Sequence, residues 1–223
     1  MNLIVFDIDD TLTCSENQHI DAYTSAMRHF GIHEINENWK SYTHHTDSYI
    51  LRINFENNLD EFFSLSFIES FEKVMTEKMK ISKPVAEIKG AANFVNYLRE
   101  EKGYAVAFAT GSLLKPALMK LEQAGIWHHP ALVASSNQTY DREGIVKDAV
   151  ERAKAFYKVD QFDHIISIGD GLWDLKTAQN LGVHFIGVGR KNKADFDQFQ
   201  LKTYTENWSN FDFEATEKAF KIA

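Results

Sequence analysis

Four short apolar runs, Leu3–Phe6, Tyr104–Ala109, His164–Ile168 and His184–Val188, carry no alternation of polar and apolar residues. Runs of this length are strands, and strands without a polar face are buried on both sides, as in parallel sheets. Between and after them the apolar spacing changes to that of helices, over Ala91–Glu101, Leu113–Ala124, Gly144–Tyr157 and Leu172–Leu181. Gly103 and Gly125 stand where the first two must stop, and Pro116 falls in a first turn, where proline is tolerated. Ala131–Ala134 adds a short strand. Repeated strand–helix units with right-handed crossovers build one architecture, an α/β doubly wound parallel sheet with a Rossmann-like core. The tail, with Trp208, Phe211 and Phe213, is expected to pack across a sheet edge as a last helix.

One block breaks the alternation. Ile20, Tyr23, Met27 and Phe30 lie at helical spacing before Gly31, and Phe63, Phe67, Phe71, Val74 and Met75 mark another amphipathic helix. Between them Thr46-Asp47 is a fitting N-cap for a helix through Ile50, Leu51 and Ile53. Residues 15–84 therefore read as an all-helical cap domain, inserted into a core made of residues 1–14 and 85–223. With 223 residues, 44% of them hydrophobic, the chain can bury such a core. Its net charge of -8 argues against a broad basic face for nucleic acid or an anionic membrane. The single cysteine, Cys14, excludes an intramolecular disulfide and a zinc–cysteine cluster. No stretch approaches the ~20 apolar residues of a membrane span. A chain that enters a core strand at its third residue leaves no room for a signal peptide, so a cytoplasmic protein is expected.

Ligands of doubly wound sheets bind outside the carboxyl ends of the strands. Here those ends carry Asp7 and Asp9, then Thr110-Gly111-Ser112, then Asp170 and Asp174. Asp7 and Asp9 start on one side of the first strand because residues i and i+2 share a face. Asp174 follows Asp170 by one helical turn and returns to the same side. A hydroxyl beside glycine at a helix start offers an O–H and backbone N–H groups to a phosphate, although helix capping alone would also explain it. Four acidic groups facing a phosphate dianion would repel it without a cation, and hard oxygen ligands suit Mg²⁺. One basic side chain is expected as well, and Lys147, at the head of the helix that begins near Gly144, is the candidate.

In order, Asp7-x-Asp9-x-Thr11, Thr110, Lys147 and Gly169-Asp170-x-x-x-Asp174 resemble the four motifs of the haloacid dehalogenase superfamily, with the helical block in the place of its cap. The resemblance is greatest to phosphoglycolate-phosphatase-like members. It implies that Asp7 is a nucleophile forming an aspartyl-phosphate, and that Asp9 is acid for the leaving alcohol and then base for water. It further implies that Thr110 holds phosphoryl oxygens, with Gly111 and Ser112 beside it, and that Lys147 neutralises charge. Asp7, the Asp9 carbonyl, Asp170 and Asp174 would be the Mg²⁺ site, Asp174 acting through water or by orienting Lys147. A carboxylic acid at Asp9 points to phosphate-ester hydrolysis or to a phosphomutase of β-phosphoglucomutase type. A catalytically idle phosphate-binding protein is the third reading, and the intact acidic set argues against it.

The cap would close over the site and supply specificity. Its most polar, aromatic-flanked stretch is Tyr42–Asp47, so His44 and His45 are candidate substrate contacts, with solvated histidines as the alternative. Arg52 fits a surface residue better than a ligand, and Trp173 fits either an entrance or a core position. The expected partner is a small phosphorylated metabolite, with neither nucleic acid nor membrane, on a monomer or weak dimer.

Overall fold

The structure, a computed structural model, describes residues 1–222; Ala223, the last residue assigned to the core, lies outside them. The chain enters through β1 (Leu3–Phe6) and turns at Asp10, whose φ of 53° is in the left-handed region that Asp tolerates. It then leaves the core through β2 (Thr13–Cys14). The helices α1 (Glu16–His29), α2 (Asp47–Asn58) and α3 (Leu65–Lys80) follow, and β3 (Ala86–Glu87) returns antiparallel to β2. The two crossings into and out of the helical block thus form a single two-stranded ribbon. The block has a core of its own, built from Tyr23, Met27, Leu51, Phe55, Phe71 and Met75 among others.

Beyond β3 come α4 (Ala91–Asn96), β4 (Ala105–Ala109), α5 (Leu114–Gln123), β5 (Val133–Ala134) and α6 (Arg142–Tyr157). The chain ends with β6 (Ile165–Gly169), α7 (Leu172–Leu181), β7 (His184–Val188), α8 (Lys193–Gln198), β8 (Tyr204–Thr205) and α9 (Phe213–Phe220). Six strands form one parallel sheet in the order β5-β4-β1-β6-β7-β8. β1 shows why its sequence lacks alternation. Ile4 and Phe6 enter the layer that holds Phe94, Leu98 and Trp208, while Leu3 and Val5 enter the layer that holds Ile145 and Ala149 of α6.

Register positions the site. Phe6 is level with Phe108 on one side and Ile168 on the other, so β4, β1 and β6 run out together. The Asp7 amide still donates to the Ile168 carbonyl (2.8 Å), which keeps the first site residue on the sheet's frame.

Three features differ from the sequence-based expectation. The helix expected over Ala91–Glu101 becomes π-helical from Tyr97 to Glu101. The short segment α8 and strand β8 carry no strong periodic pattern, and β8 takes the sheet edge assigned to the tail. The tail aromatics pack on a sheet face instead. Trp208 stacks on Phe94 (4.6 Å between ring centroids) and donates its indole N–H to the Thr11 carbonyl at 2.9 Å. It thereby buttresses the turn that follows β1.

Removing that indole leaves a cavity and an unpaired carbonyl. Trp208→Ala should destabilise the fold by roughly 3–5 kcal/mol, read as a fall in the urea midpoint with little change in slope. A loss under about 1 kcal/mol would mean that the tail is not part of the cooperative core.

Candidate active site

Asp7, Asp170 and Asp174 are all buried, and each offers a carboxylate oxygen within 4.8 Å of the others. Asp7 sits at the end of β1 and accepts from the Thr11 hydroxyl (3.3 Å), a contact made across the turn. Asp174, in the first turn of α7, accepts from the Gly171 amide at 3.1 Å. It lies so close to Gly169 that a β-carbon there would be 2.4 Å from its carboxylate, so β6 must end in glycine for the acids to gather.

Burial comes first among the causes that raise all three carboxyls, and it is reinforced by mutual repulsion at Asp7 and Asp170. Asp7 is pushed up to about 7, with Arg142 opposing the rise. Three clustered acids facing one guanidinium form an under-compensated site of hard oxygens, a donor set that fits a small divalent cation.

The compensating cation is Arg142. One of its terminal nitrogens lies 3.1 Å from Asp7 and 3.7 Å from Asp174. Lys147, assigned this part from the sequence, is exposed on α6. The reason is helical phase. The inward stripe of α6 is Ile145, Val146, Ala149 and Ala153, which Arg142 continues by one turn, whereas Lys147 lies two residues from both Ile145 and Ala149 and points away. Asp141 caps the helix by accepting from the Gly144 amide (2.7 Å), so α6 starts early enough to include Arg142. The boundary expected at Gly144 hid this residue.

Thr110, Gly111 and Ser112 lie beyond β4. The Thr110 hydroxyl oxygen accepts from the Ser112 amide (3.0 Å), and the Ser112 hydroxyl donates to Asp9 (2.8 Å). Asp9 also accepts from the Ser15 hydroxyl at 2.5 Å and from the Lys120 ammonium at 2.6 and 2.8 Å. Burial works against its charge, but the Lys120 ammonium outweighs that and holds the Asp9 carboxyl well below the usual range. Its side chain therefore belongs to an ion pair, apart from the cluster of three acids.

Lys120 went unremarked in the sequence, and it is fully buried. The signal was present, because Lys120 sits on the inward stripe of α5 with Pro116, Ala117 and Leu121.

Asp7, Asp9, Thr110, Gly111, Ser112, Arg142 and Asp170 line one cavity of about 400 Å³ between the sheet and the helical block, and Asp174 and Lys120 are not among its lining residues. From the cap side Tyr23, Trp39, His45 and Ile50 contribute walls. His45 stacks on Trp173 (4.6 Å, 12°), and burial, helped by Arg142 and Lys40, favours its neutral form. His44 does not line this cavity and packs edge-on against Tyr49. Arg52 pairs with Glu56 on the surface (2.7 Å). Trp173 stands at the cavity wall, with its indole nitrogen buried and without a hydrogen-bond partner; the same is true of the Arg142 Nε.

A family profile described as haloacid dehalogenase-like hydrolase matches residues 4–188. No curated protein matches the sequence. Among solved structures, the chain is similar to CbbY from Rhodobacter sphaeroides in complex with phosphate, at 16% identity and a TM-score of 0.68, covering 93% of this chain and 95% of that one. It is similar to a family IA, variant 3 hydrolase from Entamoeba histolytica at 16% identity and a TM-score of 0.72, over 99% and 100% of the two chains. A β-phosphoglucomutase from Clostridium difficile gives 14% identity and a TM-score of 0.68, over 99% and 97%. At these identities the likeness speaks to the fold, here an α/β core carrying a helical insertion. No helix among the described residues is long and apolar enough to cross a membrane.

The acid cluster has a thermodynamic consequence. The folded protein keeps protons on carboxyls that the unfolded chain, with ordinary values near about 4, has already released. The unfolded state binds fewer protons, so stability falls as pH rises from about 4 through the value of about 7 reached by Asp7. A bound divalent cation favours the ionised form and opposes that fall. In chelated protein, Tm should drop more steeply between about pH 5 and about pH 8 than in Asp174→Asn, and Mg²⁺ should raise Tm more at the higher pH. An equal Mg²⁺ effect at both values would count against the cluster as the metal site.

Proposed function

The chain belongs to the haloacid dehalogenase-like hydrolases, and we propose that within this family it is a Mg²⁺-dependent phosphatase of small phosphomonoesters. One observation carries the reading. Asp7, Asp9, Thr110, Arg142 and Asp170 meet in a single cavity roofed by the cap, and Asp174 stands directly behind Asp7 and Arg142. A space of about 400 Å³ suits a metabolite. The acidic chain favours such a partner over nucleic acid or membrane, and a monomer or weak dimer is sufficient for a site built by one chain.

In this reading an Asp7 carboxylate oxygen attacks phosphorus, the bond to the ester oxygen breaks, and the leaving alkoxide takes a proton that Asp9 relays from solvent, to which the proton later gained from the attacking water returns. Water then attacks the phosphorus of phospho-Asp7 and gives its proton to Asp9, so that phosphate leaves and Asp7 is regenerated. Arg142 favours the ionised form of Asp7 against the effect of burial and orients it, and its guanidinium meets charge on the transferring group. The Thr110 hydroxyl holds a phosphoryl oxygen. Mg²⁺, held by Asp7, Asp170, Asp174 and the Asp9 carbonyl, would neutralise the dianion on its approach. Asp9, paired with Lys120, is already in the form that accepts the proton of water. Proton delivery to a poor leaving group is then the harder half, so kcat/KM should decline as the leaving-group pKa rises.

The enabling experiment is a panel of phosphometabolites scored for released phosphate, with and without EDTA. Isomerisation of a hexose 1-phosphate with a bisphosphate primer, without net release, would favour the phosphomutase reading. Activity that survives excess EDTA would remove Mg²⁺ from the proposal.

Substitutions then separate the two basic candidates. Asp7→Asn should abolish turnover of p-nitrophenyl phosphate, a loss of about 10³-fold or more. Arg142→Met should cost about 10²-fold, and Lys147→Ala less than about twofold. The reverse order for these two would restore Lys147. On the best metabolite, His45→Ala should cost ~1–3 kcal/mol in kcat/KM, with His44→Ala near neutral. Equal effects would mean that the stack on Trp173 does not read the substrate.

A further inference from the structure

The segment between β7 and α8 carries none of the motifs, yet it forms part of the cavity wall, where Lys191 and Asn192 stand beside Asp10, Glu16 and Asp170. Its path is fixed from several sides. The Gly189 amide donates to the Thr205 carbonyl of β8 (3.0 Å), and the Tyr204 hydroxyl donates to the Gly189 carbonyl (2.5 Å). Arg190 pairs with Glu206, and Lys191 pairs with Glu16. The short helix α8 that follows is seated by Phe196, which is buried with Leu175 and Ala178 of α7 and Phe185 of β7. Gly187 leaves room for that ring, since a β-carbon there would be 2.9 Å from it.

Asn192 occupies the N-cap position of α8, where an asparagine side chain ordinarily accepts from amides of its own helix. Here it makes no such bond. Its side-chain N–H₂ is turned instead to Asp170, 2.9 Å from the backbone carbonyl oxygen and 3.4 Å from one carboxylate oxygen. The amide nitrogen has two hydrogens, and both acceptors lie on one residue. A carboxylate tied to the same nitrogen as its own carbonyl keeps only a narrow range of rotation about the Cα–Cβ bond. The other two clustered acids are oriented differently. Asp7 has Arg142 and the Thr11 hydroxyl, and Asp174 has Arg142 and the Gly171 amide. Among the described residues, Asn192 is the one hydrogen-bond donor to the Asp170 carboxylate.

We propose that Asn192 is a positioning residue for the cation site, holding the Asp170 carboxylate in the orientation in which it meets Asp7 and Asp174. Without it the Asp170 side chain must be ordered by the incoming cation, which lowers affinity for that cation. The helix α8 then serves two of the acids at once. Asn192 at its start holds Asp170, and Phe196 one turn further on packs against α7, whose first turn carries Asp174. The inference rests on the reading of the acid cluster as the Mg²⁺ site; it does not depend on which phosphomonoester is the substrate.

Asn192→Ser is the informative variant. Serine is as good an N-cap as asparagine, so α8 keeps its start, but a short hydroxyl has one hydrogen and cannot serve both Asp170 acceptors. In the full-length, substrate-free protein, calorimetric titration with Mg²⁺ should show affinity lowered about tenfold or more in Asn192→Ser and in Asn192→Ala. In EDTA, Tm of the serine variant should stay within about 2 °C of wild type. Turnover should show the same shift in half-saturating Mg²⁺, with kcat largely recovered as Mg²⁺ is raised. Lys193→Ala, the next residue and paired with Asp197 on the surface, should bind Mg²⁺ as wild type does. Wild-type affinity in both Asn192 variants would overturn the proposal. A lowered Tm in EDTA with unchanged affinity would overturn it too, because that is the signature of a purely structural contact. A wild-type protein that takes up no Mg²⁺ would sink the metal reading and this inference with it, whereas uptake by wild type and variants alike would sink this inference alone.

Discussion

Charge compensation at the carboxyl ends of β1 and β6 is the constraint around which the molecule is arranged. Asp7, Asp170 and Asp174 are removed from water in a region where like charges repel strongly, and no cation adjacent in sequence relieves them. Relief comes from elements that the topology delivers. Right-handed crossovers place α6 against the Leu3/Val5 face of β1, which is also the side from which Asp7 and Asp9 depart. The first inward residue of α6 is then an arginine. Placing β4 and β6 on either side of β1, in level register, brings the β4–α5 turn and the β6–α7 turn to the same spot from opposite directions.

Most of this architecture was legible because it depends on patterns that physics reads locally. Unbroken apolar strands and glycine stops are patterns of this kind, whereas Asp170 precedes the Gly171 N-cap of α7 and meets Asp174 because that side chain folds back on the helix start, not because one helical turn separates them. What escaped was governed by phase or by partners remote in the chain. Lys147 and Arg142 lie five residues apart on one helix, and only the apolar stripe of Ile145, Ala149 and Ala153 tells which of them faces inward. Strand β8 is two residues long and owes its place to pairing with Gly187 and Val188 of β7. Thr46-Asp47 has the composition of an N-cap, and α2 does begin there, but neither side chain caps it. The Thr46 hydroxyl donates to the Tyr140 carbonyl (2.8 Å), and Asp47 turns to α5 and His19. Local propensity identified the position, and tertiary contact reassigned the side chains.

That reassignment explains why a helical insertion can sit on the core with so specific a seat. An uncapped helix start exposes orphan N–H groups, and acceptors from another unit satisfy them only in one relative placement. Glu72 strengthens the effect because it accepts from the Lys115 amide (3.0 Å) and also faces the Lys115 ammonium at 3.2 Å. The contact at the helix start is polar and directional, and Leu113 and Met119 add an apolar part to the same seam. The apolar residues of the block pack among themselves, Phe55, Phe67 and Phe71 included, and take in Leu113 and Met119 from the α5 side.

The two buried cations are different residues for a physical reason. Arg142 stands between two carboxylates, and a planar guanidinium that never deprotonates can face both while its remaining donors stay available. Its Nε, buried and without a protein partner, is such a donor. Lys120 has four acceptors around a single nitrogen: both Asp9 oxygens, Ser112 Oγ and His19 Nδ1. A compact ammonium at the end of a flexible stem suits that crowded shell, where a flat fork would not fit all four. Such a buried pair is stabilising only while its full set of partners is present, since each lost contact leaves a desolvated charge less well compensated. His19 is the one partner supplied by the cap, so the balance at Asp9 depends on where the cap is. The arginine side of the site carries no such dependence, because Asp7, Asp174 and Arg142 all belong to the core. The ion pair at Asp7 and the ion pair at Asp9 therefore rest on separate structural supports, the first built within the core and the second shared with the cap.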